Sequence, residues 1–127
     1  MEPLYIDELK TTPQVILDKT REILLIKGRS LPENVLGFYD PIIQWLAEYI
    51  NNPNPKTIFT IELDYFNSAS SKVIFQIIEM MELLLKSGFE VKVNWYYQEE
   101  DEDSLEAGQT YATLSKVPFL FNAIVGS

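Results

Sequence analysis

The sequence predicts an α/β fold in which about three main helices pack against one mixed β-sheet. Segments in which every second residue is apolar, as in β-strands, alternate along the chain with segments whose apolar residues recur at helical spacing. Glycine and proline separate these segments, and no linker or internal repeat interrupts them. The chain has 127 residues, 46% of them apolar. This is the size of one domain with one core, so residues 1–127 are expected to form a single domain.

The N-terminal segments are predicted to be strands. Residues 4–7 suit a short first strand. Residues 15–18 and 22–27 are apolar runs on either side of Lys19-Thr20-Arg21, a pattern that predicts a β-hairpin. Gly28 is expected to end it.

The first helical region is expected to open at Ser30, Pro32 and Glu33 and to stop at a run of asparagine and proline. Pro41 lies inside its apolar pattern. Either the helix proper begins there with Asp40 as its cap, or the helix kinks there.

The central strand and helix have the clearest pattern. Residues 57–66 alternate, so one face of the strand is expected to carry the apolar side chains: Phe59, Ile61, Leu63 and Tyr65. The other face is expected to carry Thr60, Glu62 and Asp64. A helix is predicted from Ser68 to Lys86, with Gly88 as its C-terminal stop. Its apolar residues Val73, Ile74, Ile77, Ile78, Met80, Met81, Leu84 and Leu85 share a face that should pack on the sheet. Ser68, Lys72, Phe75 and Leu83 fall on the solvent side.

The C-terminal part continues the alternation of strand and helix. Val91, Val93, Trp95 and Tyr97 predict a strand, and the acidic run 99–103 leads into a helix through Leu105, Tyr111 and Leu114. Residues 117–121 are predicted to form a last short strand. The acidic run is interpreted as a solvated helix start rather than a cation site, because it lacks the glycine turn and ligand spacing of a calcium loop.

Composition excludes several classes of function. The net charge is −9, which disfavours binding to nucleic acid and to anionic membrane surfaces. The chain has no cysteine and no histidine, so thiolate chemistry and Ser-His-Asp catalysis are excluded. No signal peptide and no membrane span is present in the pattern. We expect a cytoplasmic protein that inserts in no membrane and needs no metal or other cofactor.

Ser68 is the residue of greatest functional interest. It lies where the alternating strand ends and the long helix begins, so its hydroxyl can cap the helix or carry a phosphate near the positive end of the helix dipole. Phe75 and Leu83 suggest a partner-binding surface on the same side. Alternatively, another element covers them, or they are scattered exposed residues without a role.

Three segments carry a resemblance to a known family: KGRSLPENVLGFYDPIIQWLAEYI, LDYFNSASSK and VNWYYQEEDEDSLEAGQTYA. In this order they resemble the SiaC family of bacterial regulatory phosphoproteins, over nearly the whole chain. The resemblance implies a STAS-like domain, similar to anti-sigma-factor antagonists. It also implies phosphorylation of a Ser or Thr at the strand-to-helix junction, which here is Ser68, with Ser70 and Ser71 as alternatives. The better-known branch has threonine at this position.

The same resemblance implies partners. A cognate Ser/Thr protein kinase adds the phosphate and a PPM-type phosphatase removes it. The unphosphorylated protein binds an effector, which in the family is a diguanylate cyclase, in cyclic di-GMP signalling. The predicted partner-binding residues are Phe66, Asn67, Ser68, Ala69, Lys72, Phe75 and Leu83.

Three other hypotheses compete with a non-enzymatic phosphorylation switch. A constitutive structural subunit would use Phe75 and Leu83 as permanent contacts. An anti-sigma-factor antagonist would act on transcription. A carboxylate-dependent enzyme would use acids such as Asp64 and Glu62 in a concave pocket.

Overall fold

Residues 1–126, which a computed structural model describes, form one six-stranded sheet and three helices. The elements are β1 (Leu4–Ile6), β2 (Gln14–Asp18), β3 (Ile23–Ser30), α1 (Val35–Tyr49), β4 (Lys56–Phe66), α2 (Ser68–Lys86), β5 (Glu90–Gln98), α3 (Glu102–Leu114) and β6 (Phe119–Ile124). The predicted α/β fold with a mixed sheet is confirmed.

The order of the strands in the sheet is their order in the chain. Strands β1, β2 and β3 pair antiparallel, which confirms the hairpin, and β3 to β6 pair parallel. Each parallel connection contains one helix. Right-handed crossovers that all step in one direction place their helices on the same face of the sheet. The core accordingly lies on that face, and side chains on the other face, such as Leu25, Ile58 and Asn94, stay partly exposed.

Helix α1 begins later than the sequence predicted. Ser30 is the buried last residue of β3, and the cap is Asn34, whose Oδ1 accepts a hydrogen bond from the Gly37 N–H at 3.0 Å. The helix does not begin at Pro41, because Pro41 lies inside it, and Asp40 is therefore not its cap. Pro41 and Gly37 are both exposed, so the Gly37 carbonyl that loses its helical partner faces solvent and can be hydrated.

Gly28 ends the hairpin as expected, because the pairing of β2 with β3 stops at Gln14 and Lys27. Strand β3 itself continues along β4 to Ser30 through a β-bulge. The register of β3 and β4 shifts there: Gly28 pairs with Leu63, and Arg29 pairs with Tyr65. Gly28 has φ +130°, a conformation that a residue with a Cβ rarely adopts. The glycine therefore allows the bulge, and Asp64 is the extra residue.

The bulge also overturns the prediction that Tyr65 shares a face with Ile61 and Leu63. Tyr65 is 52% exposed, and the Arg29 guanidinium lies 5.9 Å from its ring centroid. Phe66 points inward instead, with its ring edge-on to Trp95 at 6.2 Å between centroids. One extra residue reverses which side of a strand each later side chain occupies.

Helix α2 has the predicted bounds, and Gly88 follows it with φ +93°, as a C-terminal stop requires. Its buried side chains are those of Ser70, Val73, Ile74, Ile77, Ile78, Met81 and Leu84. Met80 and Leu85, predicted to be in the core, are only partly buried. Strand β6 begins two residues later than predicted and runs to Ile124. Among residues 1–126, no helix is both long enough and apolar enough to cross a membrane.

Candidate functional site

A cleft of about 500 Å³ lies at the N-terminal ends of α2 and α3. These helices follow the neighbouring parallel strands β4 and β5, and the carboxyl ends of parallel strands are where ligand sites of open α/β sheets occur. The lining residues are Asp64, Tyr65, Phe66, Asn67, Ser68, Ser71, Lys72, Asp101, Asp103, Ser104 and Ala107. The cleft therefore joins the Ser68 motif to the acidic run.

Asn67, not Ser68, caps α2. The Asn67 backbone is extended, and its Oδ1 accepts a hydrogen bond from the Ser70 N–H at 2.8 Å. Ser68 is the first helical residue and is exposed. In the part of the chain that the structure describes, its hydroxyl makes no hydrogen bond. The first turn of α2 contains no acidic residue of its own, so the carboxylates nearest to its positive dipole end belong to other segments.

Ser70, one alternative acceptor, is fully buried in a network of hydroxyls. The Ser30 Oγ donates to the Ser70 Oγ at 2.8 Å, and the Ser70 Oγ donates to the Ser30 carbonyl at 3.0 Å. The Tyr39 hydroxyl lies 2.6 Å from the Ser30 Oγ. Burial raises the pKa of Tyr39 to about 12, although its bond to Ser30 opposes the shift. The network therefore stays neutral at physiological pH and joins β3, α1 and the start of α2.

Ser71, the other alternative, is half-buried and bonded to α3. Its Oγ lies 2.5 Å from the Tyr111 hydroxyl, and that hydroxyl lies 3.1 Å from the Ser71 carbonyl. Burial raises the pKa of Tyr111, with the Ser71 bond opposing the shift. Phe75 stacks on Tyr111 with 5.8 Å between ring centroids. These contacts attach α3 to the first turns of α2.

Helix α3 brings carboxylates to the cleft. Asp101 caps it, because the Asp101 Oδ1 accepts a hydrogen bond from the Ser104 N–H at 3.0 Å. Trp95 donates through Nε1 to the Ser104 carbonyl at 3.1 Å, and Gly108 packs against the same indole. With Asp64 and Asp103, the cleft has three carboxylates and one ammonium group, that of Lys72. The start of α3 is thus the acidic helix start that the sequence indicated.

The predicted partner-binding residues do not form one surface. Asn67, Ser68 and Lys72 line the cleft together with the half-buried Phe66, and Ala69 is exposed beside them. Phe75 and Leu83 lie outside this group.

Phe75 is not a free solvent-side residue, because Tyr111 covers one face of its ring. Leu83 is 49% exposed, as the helical wheel indicated. It lies fifteen positions after Ser68, which at 1.5 Å per residue is roughly 22 Å along the helix. Neither residue contributes to the cleft.

Sequence reasoning missed Tyr65, Ser104 and Ala107 as neighbours of Ser68. The available signal was that β4 and β5 are consecutive parallel strands, so the residues that follow them meet at one edge. Within residues 1–126, no group of three or more side chains is placed to hold a metal ion. Of the two acids considered for catalysis, Asp64 lines the cleft, whereas Glu62 does not and instead pairs with Lys27 at 3.8 Å.

Comparison with known proteins agrees with this description. The model of the SiaC family regulatory phosphoproteins matches residues 6–124. An uncharacterised protein of Pseudomonas aeruginosa (strain UCBPP-PA14) is 24% identical over 123 residues, which cover 97% of this chain and 98% of that protein.

Solved structures share the fold. Apo-SiaC from Pseudomonas aeruginosa superposes with a TM-score of 0.88 at 24% identity, covering 97% of this chain and all of that one. A chain in the crystal structure of the diguanylate cyclase SiaD in complex with its activator SiaC, from the same organism, superposes with a TM-score of 0.89 at 24% identity. That match covers 95% of this chain and 99% of the other.

Proposed function

The chain belongs to the SiaC family of regulatory phosphoproteins, and we propose that it acts as a partner-switching regulator controlled by phosphorylation of Ser68. The unphosphorylated form binds an effector protein and modulates it. A cognate Ser/Thr kinase phosphorylates Ser68 and abolishes binding, and a PPM-type phosphatase restores it. The protein itself catalyses no reaction and works in the cytoplasm.

The observation that carries the proposal is the different state of three neighbouring hydroxyls. Ser68 is exposed at the first position of α2, whereas the hydroxyl of Ser70 is buried in the network with Ser30. The Ser71 hydroxyl is bonded to Tyr111. A kinase needs an acceptor that can leave the protein surface and enter its active site. Phosphorylation of Ser70 or Ser71 would first require breaking contacts that hold α2 in place.

The energetics favour a switch of binding rather than of folding. A negative charge at a helix N-terminus stabilises the helix by about 0.3–1 kcal/mol; the first turn of α2 itself has no acid, and the carboxylates across the cleft reduce this gain. A partner that covers the phosphorylated cleft would have to desolvate a phosphate beside Asp64, Asp101 and Asp103. That costs several kcal/mol, roughly a hundredfold or more in affinity. The fold persists and the docking surface is lost.

For the effector, we propose a diguanylate cyclase. The support is the similarity in fold to a chain of the complex of SiaD with its activator SiaC, together with family membership. In this proposal Phe66, Asn67, Ser68, Ala69 and Lys72 form the contact surface around the cleft.

The competing functions have less support in the geometry. A constitutive subunit would need Phe75 and Leu83 to form one exposed apolar surface, but Tyr111 covers Phe75. A carboxylate-dependent enzyme would need Asp64 and Glu62 in one pocket, but Glu62 is not part of the cleft. An anti-sigma-factor antagonist would share the same switch, and only the identity of the partner distinguishes it.

The test is a comparison of two baits in lysate of the native host. Phosphoserine is installed at position 68 by genetic encoding, and the matched control carries phosphoserine at Ser87, which is exposed at the other end of α2. The proposal expects a diguanylate cyclase to be retained by the unmodified chain and by the Ser87 control, and lost from the Ser68 bait. Equal retention by all three would overturn the switch.

Two further measurements identify the site and the effector. Mass spectrometry of the native protein should find phosphate on Ser68, and phosphate found only elsewhere would reject that acceptor. Synthesis of cyclic di-GMP by the captured cyclase should change when the unmodified chain is added, and should not change with the Ser68 phosphoprotein. Ser68→Asp, which carries fewer charges and oxygens than phosphate, should give an intermediate loss.

A further inference from the structure

The two edges of the sheet are protected to different degrees. Strand β1 is three residues long and is flanked by Glu2, Pro3, Asp7 and Glu8. Short length, charge and proline are the usual means by which an edge strand avoids pairing with another chain. Strand β6 has six residues, FLFNAI, without charge or proline. Within residues 1–126, no element pairs with its outer side.

The free backbone groups of β6 can be assigned from its pairing with β5. The Pro118 and Ile124 carbonyls accept from the Val93 and Glu99 N–H groups, so even-numbered residues direct their backbone groups to β5. Odd-numbered residues therefore direct their N–H and C=O groups outward. These are Phe119, Phe121 and Ala123. They form a row of unpaired donors and acceptors that can accept another strand.

Charge indicates which strand would pair there. The chain has a net charge of −9, yet residues 117–126 contain no charged side chain. A second copy has the same acidic surface, and long-range repulsion between two such molecules disfavours most ways of docking them. The uncharged strip is where a copy can approach without placing like charges in contact. A strip selected to bind a different protein would instead benefit from complementary charge.

We propose that β6 pairs with β6 of a second copy, antiparallel about a two-fold axis at Phe121, and joins two sheets into one. The arrangement is isologous, so the same strip serves both partners. Phe121 faces its own equivalent, and Phe119 faces Ala123 of the second copy, with about six backbone hydrogen bonds in total. Leu120, which is 49% exposed, lies opposite Asn122 of the second copy. The dimer is independent of the phosphorylation switch.

Sedimentation velocity of the full chain over a concentration series tests the dimer. Wild type should shift from monomer to dimer mass. Ala123→Pro removes one outward N–H and no bond to β5, so it should weaken dimerisation at least tenfold, while the matched Ala123→Ser keeps the N–H and should dimerise as wild type does. Raising the salt concentration should strengthen the dimer, because screening reduces repulsion between acidic copies. A wild type that stays monomeric into the millimolar range would overturn the proposal.

A cross-linking experiment tests the dimer without Ala123→Pro, so its result does not depend on whether that variant folds. The chain has no cysteine, so Leu120→Cys combined with Asn122→Cys introduces the only thiols. Residues 120 and 122 of two copies would lie about 4.5 Å apart between Cα atoms, within disulfide range. Mild oxidation should yield a covalent dimer for the double variant and none for either single variant. Failure of the double variant to cross-link at concentrations where wild type is dimeric would refute this register.

Discussion

Replacing Gly108 by Ala should destabilise the protein, although the same change stabilises most helices. Gly108 is a buried residue of α3, and a Cβ built on it would lie 2.7 Å from Nε1, 2.8 Å from Cδ1 and 2.8 Å from Cε2 of Trp95. The indole is 1% exposed and is held by the bond from its Nε1 to the Ser104 carbonyl. A rigid, buried ring cannot move aside as the end of a flexible side chain could.

Two effects of opposite sign decide the magnitude. Alanine improves the helix propensity by about 0.8–1 kcal/mol. The collision costs about 1–3 kcal/mol as overpacking, and moving α3 away weakens the Trp95–Ser104 hydrogen bond, which contributes about 0.5–1.5 kcal/mol. We therefore expect a net loss of about 1–3 kcal/mol in the free energy of unfolding.

Urea denaturation followed by tryptophan fluorescence measures this loss. The emission of native Gly108→Ala should also change, because moving α3 alters the surroundings of Trp95, one of the two tryptophans. Gln109→Ala is the matched control: its position is the exposed neighbour on the same helix, and it should change stability by less than about 0.5 kcal/mol. An unchanged or raised stability of Gly108→Ala would contradict the close packing of α3 on the indole.

Three further predictions concern the start of α2. Asn67→Ala removes the cap and should cost about 1 kcal/mol in urea denaturation, whereas Asn67→Asp, which keeps the acceptor oxygen, should cost only a few tenths. Ser70→Ala leaves the Ser30 Oγ–H without its buried acceptor and should cost about 1–3 kcal/mol, whereas Ser68→Ala should stay within about 0.5 kcal/mol of wild type. Stability should fall between pH 10 and about 12, because the folded-state pKa of Tyr39 is raised above its unfolded value.

Each of these predictions compares two proteins, and the second protein is the control for the first. Equal losses for Asn67→Ala and Asn67→Asp would show that the amide oxygen is not the cap. A cost for Ser68→Ala as large as that for Ser70→Ala would remove the distinction between free and bonded hydroxyls. The stabilisation linked to Tyr39 is fully present below pH 10 and is lost as pH rises through the folded pKa, so the alkaline slope of Tyr39→Phe should be shallower. An unchanged slope would assign the alkaline transition to other groups.

The bounds of α2 could be predicted because their causes are local. Asn67 caps the first turn, apolar residues recur at helical spacing, and Gly88 ends the helix. The burial of Ser70 could also be predicted from the spacing, since Ser70 lies three and four residues before the core positions Val73 and Ile74 and therefore on the same face of the helix. The sequence could therefore predict on which side of the helix Ser70 lies, although it could not predict the hydrogen-bond partners of Ser70.

The end of β4 could not be predicted from alternation alone. Tyr65 continues the inward pattern of Leu63, yet it is exposed because the bulge opposite Gly28 inserts Asp64 as an extra residue. A bulge belongs to a pair of strands, and Gly28 lies far from Tyr65 in the sequence. No periodicity within one strand contains that information.

Local sequence determined that a long amphipathic helix begins at Ser68 with three hydroxyls in its first turn, because caps and apolar spacing act over a few residues. Only the tertiary structure decided which hydroxyl remains free and which carboxylates surround it. The partners of Ser70 and Ser71 come from Ser30 and Tyr111, each 40 residues away, and Asp101 reaches the cleft because β4 and β5 end at the same edge of the sheet. Contacts at that separation depend on strand order and register, which are properties of the folded chain as a whole.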